Sequence, residues 1–402
     1  MKFLILGAGP AGLTFANKLK EAGETDFLVL EKEQEAGGLC RSIWIDGAPL
    51  DIGGGHILDV QRPHVNQFLF TFLNQDEWNL YNRNSQISIN DNIINHPIEA
   101  NIWQMSIDKQ VDYLKSIALA GCNTGTEMPS KFIDWIYWKL GSKIAENYMI
   151  PYNQKMFGEE LNCLGTYWLE KLPNVSFDDT LRSCINKKPY GSQPAHSQFY
   201  YPKTYGYGEL WLRMANAINN NIEYGKAVKV INFKEKNVIT SDGSNYKADI
   251  IITTIPWMEF DELIGMPNEI KQSIKDLKYS SVQIEYYQEN LDTKAHWIYY
   301  PDPKLAFHRI LVRHNFCPGS RGYWTETNSK RATKTSNNYI YRNHYAYPLN
   351  TLNKPKIMEK LLAWSSGYNI YGLGRWGEHQ HYNSDVTVDL AMKMANKFTY
   401  KR

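Results

Sequence analysis

Cysteine is scarce: Cys40, Cys122, Cys163, Cys184 and Cys317 are the only five in 402 residues. They lie far apart, with no C-x-x-C pair and no Cys/His spacing of a zinc site, which excludes a disulfide-stapled miniature and a zinc module. Such usage points to a reduced chain in the cytoplasm. Charge of one sign is missing as well, since 44 Lys and Arg stand against 42 Asp and Glu for a formal net charge of +2. With no basic stripe to neutralise a row of phosphates, nucleic acid is not expected as a partner. No apolar run approaches the ~18 residues that span a bilayer, so no membrane insertion is expected. The apolar start Phe3-Leu4-Ile5-Leu6 runs straight into glycines and predicts a buried strand, not a leader. Aromatic side chains are abundant, with 27 Tyr and 12 Trp. Ring faces suit sugars and nucleobases, although most such rings pack in cores. The length exceeds one compact core and predicts two or three modules around a shared cleft.

After the first strand comes Gly7-Ala8-Gly9-Pro10-Ala11-Gly12, and then Leu13, Phe15, Ala16 and Leu19 recur at helical spacing. Gly7 permits the tight turn, Gly9 lets the backbone approach a pyrophosphate, and Gly12 allows helix and strand to pack. Pro10 and Ala11 open a helix whose first N–H groups face the anion. A second strand, Phe27-Leu28-Val29-Leu30, ends in Glu31 and Lys32, placing Glu31 where an acid binds a ribose. Glu in place of Arg argues against a 2′-phosphate. The chain continues with Gly37-Gly38-Leu39-Cys40-Arg41-Ser42 and Asp51-Ile52-Gly53-Gly54-Gly55-His56-Ile57. This succession resembles the FAD-binding flavoproteins of the amine oxidase, phytoene desaturase and protoporphyrinogen oxidase superfamily. The resemblance implies FAD held by the first glycine turn, Glu31, Lys32, Gly38, Leu39, Arg41, Gly54, Gly55 and Ile57, with His56 beside the flavin. Glycines are expected wherever backbone runs along the dinucleotide. By itself His56 also fits a buried histidine whose nitrogens meet backbone groups. No separate site for NAD(P)H is expected, so free NAD(P)H or a partner is expected as the external reductant.

Between about 76 and 98, Ile87, Ile89, Ile93 and Ile94 flank Asn90-Asp91-Asn92 and predict a hairpin that ends at His96-Pro97-Ile98. From Trp103 to Tyr152 the period becomes helical, and helices are expected to continue past Pro173. The segment Tyr148-Met149-Ile150-Pro151-Tyr152-Asn153-Gln154-Lys155-Met156-Phe157-Gly158, followed by Trp168, is similar to an element of the UDP-galactopyranose mutases that stacks the uracil of the substrate. Phe157 stands where that family has Trp, which loses the indole N–H and part of the contact area. The resemblance assigns Tyr148, Tyr152, Asn153, Phe157, Trp168, Lys203 and Asn383 to the substrate; read alone, these aromatics equally fit an ordinary core. Tyr201-Pro202-Lys203-Thr204-Tyr205-Gly206-Tyr207-Gly208 resembles the return into the FAD domain, where Val228 lets backbone meet the adenine. Ile250-Ile251-Ile252 predicts another buried strand, so the nucleotide domain is discontinuous.

In the last third, Phe307-His308-Arg309-Ile310-Leu311 resembles the mutase strand whose arginine lies near the substrate pyrophosphate, and Tyr345-Ala346-Tyr347-Pro348 resembles its tyrosine-proline element. Arg309 would give two parallel charge-assisted bonds to a diphosphate and Tyr347 a hydroxyl. Arg309 read alone also fits a strand arginine paired with a carboxylate. Ile370-Tyr371-Gly372-Leu373-Gly374-Arg375 and the helix after Ser384-Asp385-Val386 resemble the closing FAD contacts. They place Arg375 on the pyrophosphate and a helix N-terminus on the flavin. Two departures stand out. His381 replaces a substrate-phosphate tyrosine, and Lys171 to Asp179 lacks the mobile arginine of bacterial mutases, for which Arg182 is the stand-in. His379 and His381 have no further ligands beside them to make a metal site.

The expected fold is α/β. A Rossmann-like FAD-binding domain is built from residues 1–80, 196–265 and 351–402, a helical substrate domain from 101–195, and a small antiparallel β-sheet domain from the 81–100 hairpin and 266–350. The resemblance implies a mutase that uses reduced FAD without net redox change to interconvert pyranose and furanose forms of a nucleotide-activated sugar, for surface polysaccharide. The catalytic set is then Arg309, Tyr347, His381 and His56. An FAD-dependent oxidase or desaturase and a non-catalytic flavin and nucleotide binder stay open, as does a homo-oligomer.

Overall fold

Phe3–Leu6 forms strand β1, and all four residues are buried because apolar surface covers both sides. Phe3 and Ile5 face a core that holds Phe15 and Leu13 of helix α1 (Pro10–Glu21); Leu4 and Leu6 face a second core with Ile231, Met358 and Leu361. Strands covered on both faces read as continuous apolar runs, which is why Phe3 to Leu6 carry no polar alternation. The computed structural model describes residues 1–90, 92–169, 172, 174–191, 197–332 and 337–399. Asp91 of the expected hairpin turn, and Lys171 and Pro173 of the departing segment, lie outside the described residues.

β1 lies at the centre of a five-stranded parallel sheet. Strand β2 (Phe27–Leu30) and then Ile222–Glu223 flank it on one side, Ile250–Thr253 and Ile370–Gly372 on the other. The strands thus come from three remote stretches of chain. The registers Leu6↔Leu30 and Leu6↔Thr253 align the strand ends, so the following loops open along one edge, where ligands bind in such sheets. The last helix, Ser384–Thr399, packs beside α1, with Phe398 edge-on to Phe3 and Phe15 at 5.7 and 6.1 Å.

Ser85–Ile89 and Asn92–Asn95 form the expected hairpin and pair into a seven-stranded sheet. Its neighbours are antiparallel except Trp297–Tyr299 against Ser85–Ile89, which run parallel because the hairpin joins from a remote part of the chain. Helices Ile107–Ala118, Phe132–Ile144, Ile150–Phe157 and Phe177–Asn186 make the helical module. A π turn, Ala145–Met149, leads into the third of these. Pro151 has no N–H for the carbonyl four residues back, and the widened turn accommodates that loss. No helix among the described residues is long and apolar enough to cross a membrane.

Candidate active site

Gly7 has φ +101°, and a Cβ on Gly12 would lie 2.0 Å from the Gly7 carbonyl oxygen, so the first turn closes only with glycine at both positions. Gly9 faces Gly38 closely: a Cβ on Gly38 would sit 3.3 Å from the Gly9 Cα. These bare surfaces and the α1 N-terminus, which no side chain caps, wall a cleft of about 320 Å³. Glu31 is buried at its edge and accepts the Ala8 N–H at 2.7 Å and the Glu33 N–H at 3.0 Å, clamping the glycine turn to β2. Burial raises its carboxyl above the usual range, opposed by those two bonds and Arg41. Pro10, Ala11, Lys32, Leu39, Arg41 and Val228 also line this cleft. Arg41 donates from Nε to the Gly38 carbonyl and from Nη2 to the Tyr341 hydroxyl.

A second chamber of about 220 Å³ abuts the first, and His56, Arg375 and Ser384 line both. Arg375 donates to the carbonyls of Tyr382 and Ala346, which fix its guanidinium at the junction. Its neighbour Gly374 has φ +74°, and a Cβ there would meet the Ala11 Cβ at 2.7 Å. His56 stacks parallel to Tyr207 at 6.2 Å, and burial, then Arg375, pushes its imidazole down to about 4. It is therefore neutral at pH 7, and with Nδ1–H on the Gly54 carbonyl at 3.0 Å its Nε2 is an acceptor.

Across the chamber, Arg309 pairs with buried Glu326, Nε to Oε2 at 3.0 Å, while Oε1 takes the Gly55 N–H at 3.1 Å. Burial alone would raise the Glu326 carboxyl; Arg309 and His308 overcome it and hold it at about 2. The glycines of the second turn clear protein here. A Cβ on Gly53 would meet the Leu39 carbonyl, on Gly54 the Glu326 carboxylate, and on Gly55 the Leu311 side chain. Tyr347 lies 4.9 Å from the His381 ring; burial raises its phenol, so it stays a neutral donor. Ile57, His381 and Asn383 complete this part of the lining.

Other expected residues lie elsewhere. Phe157 is buried edge-on to Trp168, and Trp168 rests on Phe132 at 4.8 Å. Tyr148 packs on Tyr152, and Asn153 turns back to the Met149 carbonyl. None of these five lines either chamber. Arg182 is exposed on Phe177–Asn186 and Lys203 is exposed just past the strand Gln198–Pro202; neither reaches the cleft. Asp385 pairs with Arg62 at 3.1 Å, and Val386 follows it in the last helix.

Sequence reasoning missed Glu326 and Arg83. Glu326 had one signal, an acid amid the strand Tyr323–Asn328. Arg83 lines the second chamber, donates to the Tyr299 hydroxyl at 2.9 Å and lies over the Trp297 ring at 5.0 Å. Its position between two strands gave no signal.

Residues 5–72 match the NAD(P)-binding Rossmann-like domain family. A protein of Methanothermococcus thermolithotrophicus, described only as an uncharacterized protein in the nifH2 3′ region, is 51% identical over 53 residues. That match covers 13% of this chain and spans half of the relative's own length. Among solved structures, reduced UDP-galactopyranose mutase superposes with a TM-score of 0.92 at 20% identity, covering 100% of this chain and 96% of the other. A fatty acid isomerase from P. acnes that produces CLA gives 0.67 at 13% identity, covering 99% and 98%. Wild-type putrescine oxidase bound to putrescine gives 0.63 at 14%, covering 100% and 99%. Over its whole length, therefore, this chain has the fold of UDP-galactopyranose mutase, an architecture it shares with the fatty acid isomerase and putrescine oxidase.

Proposed function

We propose that this chain is a flavin-dependent mutase that interconverts the pyranose and furanose forms of a nucleotide-activated sugar, with free NAD(P)H as reductant and surface polysaccharide as destination. The observation that carries the reading is the second chamber. At the end of a glycine-walled dinucleotide cleft it gathers Arg83, Arg309 and Arg375 with Tyr347, and among the described residues no carboxylate side chain is in its lining. Such a wall suits a diphosphate and poorly suits an amine or an apolar chain. The 0.92 superposition supports the same reading at the level of fold.

FAD fits the first cleft because the close Gly9–Gly38 approach and the bare α1 N-terminus leave room and N–H groups for a pyrophosphate. When bound and reduced, FAD supplies the nucleophile for the anomeric carbon. The chain's residues do the positioning. Glu326 holds Arg309 by Nε and Nη2, which leaves Nη1 for the leaving diphosphate. The Tyr347 hydroxyl, without a hydrogen bond to the described residues, donates to a phosphate oxygen. Both act on charge that grows as the glycosidic bond breaks. His56, neutral and locked by Gly54, adds no competing charge at the junction.

The test is anaerobic incubation of the dithionite-reduced holoprotein with UDP-galactopyranose, followed by chromatography. The expected result is an isomer of unchanged mass. No isomer, together with oxygen consumption by the oxidised protein on an amine substrate, would replace this reading with an oxidase.

A further inference from the structure

The backbone is anchored on both sides of His381. Gln380 donates its N–H to the Arg375 carbonyl at 2.8 Å, and the Tyr382 carbonyl takes the Arg375 guanidinium at 2.9 and 2.7 Å. From behind, buried Lys354 donates to the His379 carbonyl and to the Gln380 side chain, each at 2.9 Å. Between these anchors the His381 imidazole lines the second chamber, its ring 4.9 Å from that of Tyr347. The other groups of this wall keep one charge near neutral pH. Arg83, Arg309 and Arg375 are cations and Tyr299 and Tyr347 are phenols, and both types change charge only far above neutrality. Burial, then Arg375, holds His56 down at about 4, so an anion in the chamber leaves it neutral. Against its burial, Glu326 is held at about 2 by Arg309 and His308 and stays ionised. Asp385, on the following helix, is paired with Arg62. Glu378, raised by burial to about 7, accepts the Gly374 N–H at 2.9 Å and lines neither chamber. Among the described residues of the lining, His381 is thus the one side chain of a type that titrates near physiological pH without a neighbour fixing its charge.

Resting on the mutase reading, we infer that His381 is a substrate-binding residue that takes up a proton from solvent when the diphosphate of a sugar nucleotide enters this chamber. A dianion beside an imidazole favours its charged form, and the imidazolium returns a charge-assisted bond to a phosphate oxygen. The arginines bind the diphosphate at any pH, whereas the histidine adds affinity only where it carries charge. Because the ligand raises the affinity of His381 for its proton, the proton raises the affinity of the chamber for the ligand by the same factor. Binding is therefore tightest at low pH and weakens as pH rises through the range in which the liganded histidine gives up its proton. A tyrosine at this position would offer a hydroxyl and no such pH dependence.

The test is calorimetric titration of the oxidised, FAD-bound, full-length protein with UDP-galactopyranose in HEPES and in Tris, whose different heats of ionisation count the protons exchanged. Both phosphates of this ligand are doubly substituted and stay ionised, so an exchanged proton belongs to the protein. The expected result is a net uptake of about 0.3 proton or more per ligand at pH 7.5, and a dissociation constant about tenfold larger at pH 8.5 than at pH 6. His381→Gln and His381→Tyr, each checked for its bound flavin, are expected to take up no proton and to bind with one affinity at both pH values. Tight binding without uptake by the unaltered protein overturns this inference alone. Uptake that persists in the variants also overturns it, and would place the proton on another group such as Glu378. No binding, together with no isomer from the reduced protein, removes the mutase reading and this inference with it.

Discussion

A carboxylate with no exposed surface needs a donor on each oxygen, and Glu326 finds Arg309 for Oε2 and the Gly55 N–H for Oε1. The pair ties the strand Arg309–Leu311 to Tyr323–Asn328 and sets the guanidinium at the chamber wall. Taking one member away strands the other in a poor solvent, which costs about 3 kcal/mol for buried pairs, whereas losing both costs less than the sum. Glu326→Gln and Arg309→Met are therefore each expected to lower the denaturation midpoint clearly, with the double variant falling short of additivity by about 2 kcal/mol. Urea unfolding of the four proteins in the cycle measures this. Additive losses would mean that the two side chains do not depend on each other. The reading of Arg309 as a strand arginine beside a carboxylate and the reading of it as a substrate arginine are thus compatible, because one carboxylate aims one guanidinium.

At the scale of elements, what is local in sequence was legible. Strand, glycine turn, helix and the acid at Glu31 follow one another within about thirty residues, and each is dictated by its neighbours. The Glu326–Arg309 pair and the Phe157–Trp168–Phe132 stack were not legible, since each depends on which remote segments fold together. The protein neighbours of the second glycine turn were not legible either: Gly53, Gly54 and Gly55 make way for Leu39, Glu326 and Leu311. Asp51 shows another remote junction. It ends the strand Ala48–Asp51 and accepts Ser42 Oγ at 2.6 Å, Tyr201 Oη at 3.1 Å and the Tyr207 N–H at 3.2 Å, joining three elements. Burial raises its carboxyl to about 7 against these bonds. The folded chain therefore binds a proton that the unfolded chain releases near pH 4, and the stability it confers below that is lost as pH rises towards 7. Asp51→Asn keeps the shape without the proton. It is expected to flatten the fall in stability between pH 5 and pH 8 by about 2 kcal/mol. Urea midpoints at the two pH values decide it; an unchanged slope would mean that other groups carry the pH dependence.

At the scale of the whole molecule, the two chambers are the place where three remote chain segments meet. The turn after β1, the turn Gly53–Ile57 and the start of the last helix at Ser384 all contribute lining, and Arg375 is anchored across to Ala346 in the seven-stranded sheet. A long dinucleotide seated along this cleft would touch all of them, so its binding energy would add to the stability of the junction and not of any one element. Of the helical module, Tyr152 touches the chamber wall edge-on at Tyr299, while the helices Ile107–Ala118 and Phe132–Ile144 line neither chamber. Removal of FAD is therefore expected to raise amide exchange together at residues 7–12, 53–57 and 384–388, and to leave the helices Ile107–Ala118 and Phe132–Ile144 unchanged. Hydrogen–deuterium exchange of holoprotein and FAD-stripped protein, read by mass spectrometry, measures it. Faster exchange confined to residues 7–12 would show that the cofactor stabilises the first turn alone. An equal rise throughout the helical module would show that the module is held in place through the cleft.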